Sequence, residues 1–323
     1  MRAMTQTPDN NELISLLIPC YNEQEVIEAC HKRVVAALVD LPYRFEIIYI
    51  NDGSRDLTLD KLRRIQSEDN RVRVINLSRN FGKESAMTAG LDQARGDAVI
   101  ILDADMQDPP ELIFELLKIW KEQNADVVYG QRLTRDGETW LKKKTASLFY
   151  ALINLVSDRV AIPRNTGDFR LMNRRTVNAL ESLREHHRFM KGLFAWVGYK
   201  QVPLYYHREP RLAGNTKWNY LKLIDLALEG ITGFSMTPLR FATICGIIIA
   251  GFSFLYGSLI LFKTLIFGRD IPGYASLAVM VAFFSGVQLL SIGLLGEYIG
   301  RIFNETKNRP LYLIDEVIGD DKK

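Results

Sequence analysis

The run Ala98-Val99-Ile100-Ile101-Leu102-Asp103-Ala104-Asp105-Met106-Gln107-Asp108-Pro109-Pro110-Glu111 passes directly from an apolar, β-branched stretch to carboxylates, and then to the prolines that open a helix. Acidic groups are thereby placed at the carboxyl end of a strand. Upstream the pattern recurs: Leu13 to Pro19, Phe45 to Asn51 and Val72 to Leu77 are short β-rich runs, separated by segments of helical period at Glu23 to Leu38 and Leu57 to Ser67. The alternation predicts an α/β domain with a mainly parallel, Rossmann-like sheet, helices on both faces and ligands beyond the strand ends.

Those ends carry Pro19-Cys20-Tyr21-Asn22-Glu23, Asn51-Asp52-Gly53-Ser54 and the acidic run from Asp103 to Glu111. No G-x-G-x-x-G follows the first strand, and Gly82-Lys83 lacks both the earlier Gly and the following Ser or Thr of a phosphate loop. A bare diphosphate would be repelled by Asp52, Asp103 and Asp105 unless a cation lay between them. Oxygen donors such as Asp105 and the Gln107 side-chain carbonyl, with no Cys or His pattern beside them, favour Mg²⁺ or Mn²⁺ over zinc.

The 323 residues suffice for about two domains. With 41 Lys and Arg against 38 Asp and Glu, the net charge is +3 and the pI about 8.6, without the clustered basic stripe of a nucleic-acid partner. Three cysteines without a CxxC pair indicate neither a disulfide framework nor a zinc site. His186 and His187 have no partner at metal spacing and read as a solvated loop.

The mean hydropathy of −0.04 averages two unlike regions. Phe241 to Phe262 is charge-free and at 1.5 Å per residue covers about 33 Å, enough for a bilayer core; a second charge-free run spans Ile271 to Gly296. Together they predict a transmembrane helical hairpin. Lys217, Lys222 and Arg240 before it and Arg301, Lys307 and Arg309 after it predict cytoplasmic termini, and Met1 to Glu12 has no hydrophobic signal region. Trp218 to Ile231 has the polar spacing of a helix lying on the membrane, and Lys142 to Lys144 followed by Leu148 to Val156 is a second candidate. Glycines at 246, 251, 257, 286, 293 and 296 would permit the close helix contacts of a homo-oligomer.

The strand-end set PCYNE, NDGS and DADMQDPPE resembles family 2 glycosyltransferases of the GT-A fold. Further stretches, from Asn76 to Glu84, Asn165 to Met172, Arg188 to Gly192, Arg211 to Trp218 and Gly296 to Arg301, are similar to polyprenyl-phosphate glycosyltransferases, and most of all to bactoprenol glucosyltransferases. The resemblance implies transfer of a hexose, glucose first, from a UDP-sugar donor to undecaprenyl phosphate at the cytosolic face of the inner (plasma) membrane. It implies that Pro19, Tyr21, Glu23, Asp52, Lys83 and Asp103 hold the nucleotide sugar and that Asp105 and Gln107 ligate Mg²⁺ or Mn²⁺. Asp105, Asp168 and Arg170 are the candidate catalytic residues, with Asp168 at the position of a base in relatives. Asn51 departs from the more common DDGS and removes one carboxylate there.

A lipid monophosphate has a second pKa of about 6, so at neutral pH it can attack without giving up a proton, and Asp168 is expected to orient rather than deprotonate. Arg170, Arg211 and Lys217 are the cations expected to meet its phosphate. The expected divisions are a GT-A domain over residues 1–217, an interfacial helix over 218–237, the hairpin over 238–300 and a cytosolic tail over 301–323. Mannose, N-acetylhexosamine and aminoarabinose are the alternative sugars, and an inactive scaffold or flippase component is the alternative of another class. No Q-x-x-R-W motif of a processive synthase is present.

Overall fold

The computed structural model of the chain describes residues 12–133, 163, 165–186, 188–209, 237–268 and 273–319. Within them one sheet contains β1 (Leu13–Cys20), β2 (Arg44–Asn51), β3 (Val72–Leu77), β4 (Ala98–Ile101), β5 (Val127–Arg132), β6 (Thr166–Asn173), β7 (Gln201–Tyr206) and β8 (Ile314–Ile318). Their spatial order is β7-β5-β6-β4-β1-β2-β3-β8. β2 and β3 lie to one side of β1 and β4 to the other, so the topological switch point falls between β1 and β4.

Both sheet faces are covered, which explains why the strands are continuously apolar rather than alternating. Ile14, Leu16, Ile18, Ile47 and Tyr49 point into one core layer, beneath α1 (Ile27–Leu38), α2 (Thr58–Glu68) and α4 (Ile113–Gln123). Leu17, Ile48, Ile50, Val99 and Ile101 point into the other, beneath α3 (Lys83–Gln93), α5 (Arg174–Ser182) and α6 (Met190–Trp196). In α1 the buried positions Ile27, Cys30, Val34 and Leu38 follow helical spacing and seat the helix on the sheet.

The sheet is mixed and mainly parallel, as expected, with antiparallel members that the sequence did not place. β1 pairs in parallel with β2 and β4, β2 with β3, and β5 with β7; β6 runs antiparallel between β4 and β5. The expected tail, 301–323, is divided between a helix end and β8, which pairs antiparallel with β3 at the sheet edge. Asn51 Nδ2 donates to Asn76 Oδ1 at 2.7 Å, and Asn76 Nδ2 donates to Asp315 Oδ2 at 3.1 Å, so the tail is tied to the central strands. Asn51 is only 1% exposed, and its amide links strands rather than lining a site.

The two charge-free runs lie in α7 (Thr237–Phe267) and α8 (Tyr274–Thr306). Their segments Leu239–Ile266 and Val279–Thr306 have mean hydropathies of 2.2 and 2.0, and each is about 42 Å long at 1.5 Å per residue, long and apolar enough to cross a membrane. None of their most apolar windows is buried by the protein, unlike the core helices of a soluble domain. His186 lies in a partly exposed loop, where its backbone N–H and Nδ1 meet Glu305 Oε1 and Oε2 at 2.8 and 3.0 Å, and Nε2 faces the Arg309 carbonyl at 2.6 Å. This joins the loop before α6 to the end of α8. Residues 1–11, the segment Lys142 to Val156, His187, Arg211, Lys217 and the helix expected from 218 lie outside the described residues.

Candidate active site

The acidic turn after β4 alternates in exposure. Asp103, Asp105 and Gln107 are partly exposed, whereas Leu102, Ala104, Met106 and Asp108 are buried. Asp103, Asp105 and Gln107 are thus the accessible side chains of the turn that follows β4 at the switch point. Met106 adopts a φ of 59°, and the resulting turn brings the Gln107 N–H to 3.2 Å from Asp105 Oδ1. Asp105 and Gln107 thus share one turn.

Antiparallel β6 adds a group that no local pattern could place. Ile101 pairs with Arg170 at the end of the ladder, and just beyond it Asp103 and Asp168 meet the same ammonium. Two neighbouring carboxylates repel, and Lys83, the first residue of α3, bridges them and offsets part of that repulsion. Its Nζ lies 2.6 Å from Asp103 Oδ1 and 2.5 Å from Asp168 Oδ2. Burial opposes ionisation of Asp168, but Lys83, Lys191 and Arg170 outweigh it and hold the carboxyl well below the usual carboxylate range. Asp168 is consequently a poor proton acceptor in this arrangement. Behind it, burial and the nearby Asp168 charge push the Glu84 carboxyl up to about 8, and Glu84 Oε2 is buried without a hydrogen-bond partner among the described residues.

The other expected site residues have distinct placements. Pro19 lies in β1 opposite Ile50, while Tyr21 and Glu23 occupy the partly exposed loop beyond it. That loop is locked to the one after β2: Asn22 N–H donates to Ser54 Oγ and Glu23 N–H to Thr58 Oγ1, both at 2.9 Å. Asp52 turns inward. Its Oδ1 accepts the Phe81 N–H at 2.7 Å, and its Oδ2 accepts the Gly82 N–H and Asn80 Nδ2 at 3.0 Å. Asp52 shapes the loop that delivers Lys83 rather than presenting a carboxylate to a ligand. The adjoining Gly53 has a φ of 61°, and a Cβ there would stand 2.3 Å from the Arg79 carbonyl carbon, so the close approach of these loops requires glycine.

Arg170 was expected at a lipid phosphate, but it is only 4% exposed. Its Nε and Nη2 donate to the carbonyls of Asp168 and Gly167 at 3.3 and 2.8 Å, and its guanidinium lies 3.6 Å from the Phe194 ring centroid. These contacts make it an internal brace for the Asp168 strand. Sequence reading missed Asp108, Arg132 and Arg208. Asp108 is fully buried, accepts the Tyr206 hydroxyl and has Arg132 Nη2 3.8 Å away. Arg208 is held beside Arg132, Asp108 and Asp105; burial lowers its pKa first, and the neighbouring arginine adds to that effect. The strand-end position of Arg132 was the available signal; Arg208 had none, because β7 joins the sheet from far away in sequence.

Asp105 and Gln107 offer hard oxygen donors that fit Mg²⁺ or Mn²⁺, and among the described residues no cluster of three or more His, Cys, Asp or Glu competes for a metal. Few protein ligands suit an ion that completes its coordination with phosphate oxygens and water.

This constellation belongs with a sequence match: the family model for glycosyl transferase family 2 covers residues 15–180, from β1 through most of α5. The chain belongs to glycosyl transferase family 2. It is a glycosyltransferase with the expected GT-A fold. An uncharacterized glycosyltransferase of Synechocystis sp. is 51% identical to it over 95% of this chain and 96% of its own length. An uncharacterized glycosyltransferase of Bacillus subtilis is 44% identical over 96% and 95%. The SfII prophage-derived bactoprenol glucosyl transferase of Shigella flexneri is 48% identical over 93% of this glycosyltransferase and 97% of its own chain.

Proposed function

We propose that the protein transfers a hexose, glucose first, from a UDP-sugar to undecaprenyl phosphate at the cytosolic face of the inner membrane, with inversion at the anomeric carbon. The observation that carries this reading is the accessible turn holding Asp103, Asp105 and Gln107 at the switch point, with Lys83 joining Asp103 to Asp168 beside it. Pro19, Tyr21 and Glu23 border the same strand ends and are assigned to the nucleotide. The bactoprenol glucosyl transferase named among the relatives supports the polyprenyl acceptor and the glucosyl donor.

Asp105 and Gln107 would hold a divalent cation, which when bound would neutralise charge on the departing diphosphate. Lys83 keeps Asp103 and Asp168 together without mutual repulsion, and Asp168, held ionised, orients groups around the sugar. The acceptor phosphate carries close to two charges at neutral pH and attacks without a protein base. Arg211 and Lys217 are assigned to that phosphate.

The fold supports the membrane placement. β7 precedes the two apolar helices and β8 follows them, yet both strands belong to one sheet. An out-and-back hairpin satisfies this connectivity and leaves the catalytic domain and both termini on one side, assigned to the cytosol. The test is incubation of purified protein with undecaprenyl phosphate and a panel of labelled UDP-sugars, with and without Mg²⁺ or Mn²⁺. Label is expected in the lipid fraction, strongest with UDP-glucose and only with the cation. Strongest labelling by another sugar would replace the donor assignment, and no lipid label with any donor would overturn the reading.

A further inference from the structure

Arg33 projects from α1 toward two carboxylates that bracket the acidic turn. Its Nε and Nη2 donate to Glu111 Oε1 and Oε2 at 2.7 and 2.8 Å, while Nη1 and Nη2 donate to Glu209 Oε2 and Oε1 at 2.8 and 3.0 Å. One guanidinium thus holds both residues as two forks, a geometry that lysine cannot reproduce. Its platform is firm, because the neighbouring Val34 is fully buried in the core.

The two partners differ in what they touch. Glu111 lies in the short 3₁₀ turn Pro110–Leu112, at the end of the acidic run. Glu209 lies beyond β7 and crosses the acidic run itself: its N–H donates to the Gln107 carbonyl at 3.0 Å, and its carbonyl accepts Gln107 Nε2 at 3.5 Å. With the amide nitrogen donating to the Glu209 carbonyl, the amide oxygen of Gln107 does not face that carbonyl. The residue before Glu209 is Arg208, held near Asp105 and Asp108.

We propose that Arg33 is a positioning residue for the divalent-cation turn: by gripping Glu111 and Glu209 together, it fixes the Arg208–Glu209 backbone across Gln107 and sets the direction of the Gln107 amide oxygen. This rests on the reading that Asp105 and Gln107 hold the cation. Arg33 itself touches neither the cation nor the donor. Loss of the clasp frees the Gln107 amide to rotate, weakening the ion even where the fold survives, as loss of an outer-shell partner does at other metal sites.

The experiment is Mn²⁺ binding to the full chain in detergent in the presence of UDP, followed by the electron paramagnetic resonance of free Mn²⁺, so no turnover is needed. Arg33→Gln and Glu209→Gln are each expected to weaken Mn²⁺ by about tenfold. Glu28→Gln, which breaks the exposed Glu28–Lys61 pair, also involving α1, is expected to stay within about twofold. Asp105→Asn is expected to abolish binding. Unchanged affinity in Glu209→Gln overturns the clasp, as does an equal weakening in Glu28→Gln; if Arg33→Gln fails to fold, Glu209→Gln decides alone. If Asp105→Asn loses Mn²⁺ while both clasp variants retain it, the clasp fails and the cation assignment stands. If wild type and Asp105→Asn bind alike, the assignment fails and takes the clasp with it.

Discussion

Lys83 Nζ and Asp168 Oδ2 stand 2.5 Å apart, joining the first residue of one helix to a strand 85 positions later. The contact explains how a carboxylate beside Asp103 remains ionised, and it supports the proposal that Asp168 orients rather than deprotonates. Asp168→Asn is therefore expected to keep more than about a tenth of kcat, a barrier change below about 1.4 kcal/mol. Lys83→Met should be more damaging, because it leaves two neighbouring carboxylates without their bridge. Steady-state rates of both variants decide the matter, and a loss of a thousandfold or more in Asp168→Asn would make it the base.

Asp105→Asn removes one of the two proposed hard ligands on the turn. Lipid glycosylation is expected to fall by at least about a hundredfold, with added Mn²⁺ failing to restore it. Retained, cation-stimulated transfer would move the metal elsewhere.

Arg170 is buried, whereas Arg211 is proposed to meet the acceptor phosphate, and the two make different predictions. Arg170→Ala should lower stability by about 3 kcal/mol, since it empties a buried position stacked on Phe194. Arg211→Ala should instead raise KM for the lipid acceptor far more than KM for the nucleotide sugar, with melting unchanged. Equal changes in both KM values would remove Arg211 from the acceptor site.

Glu84 gives a pH signature. Its carboxyl is raised by burial and by Asp168 to about 8, above its unfolded value of 4.5, so the folded protein holds a proton that the unfolded chain releases. That contribution is present below pH 4.5 and is lost as the pH rises through about 8. Glu84→Gln is expected to flatten the decline in melting temperature over that window. Parallel curves for variant and wild type would show that Glu84 does not titrate there.

The tail strand predicts a stability effect far from the site. Asp315→Ala removes the carboxylate that accepts from Asn76 and should cost about 1 kcal/mol, or about 2–4 °C in Tm. A thermal melt indistinguishable from wild type would mean that the Asn76–Asp315 bond adds nothing to the edge.

The sequence by itself determined the elements whose signal is local. Apolar runs named β1 to β4, uninterrupted hydropathy named α7 and α8, and the residues beyond each strand named the Asp105–Gln107 turn, because strand period, helix length and turn chemistry are written in neighbouring residues. Only the tertiary structure decided that β6 runs antiparallel beside β4, that β8 returns to β3, and that Arg33, Arg208 and Glu209 gather at the turn. Those contacts join residues far apart in the chain. A hydropathy pattern encodes which face a residue buries, but not which partner waits across the sheet, and that choice is what turned Asp52 and Arg170 inward and set Lys83 between two carboxylates.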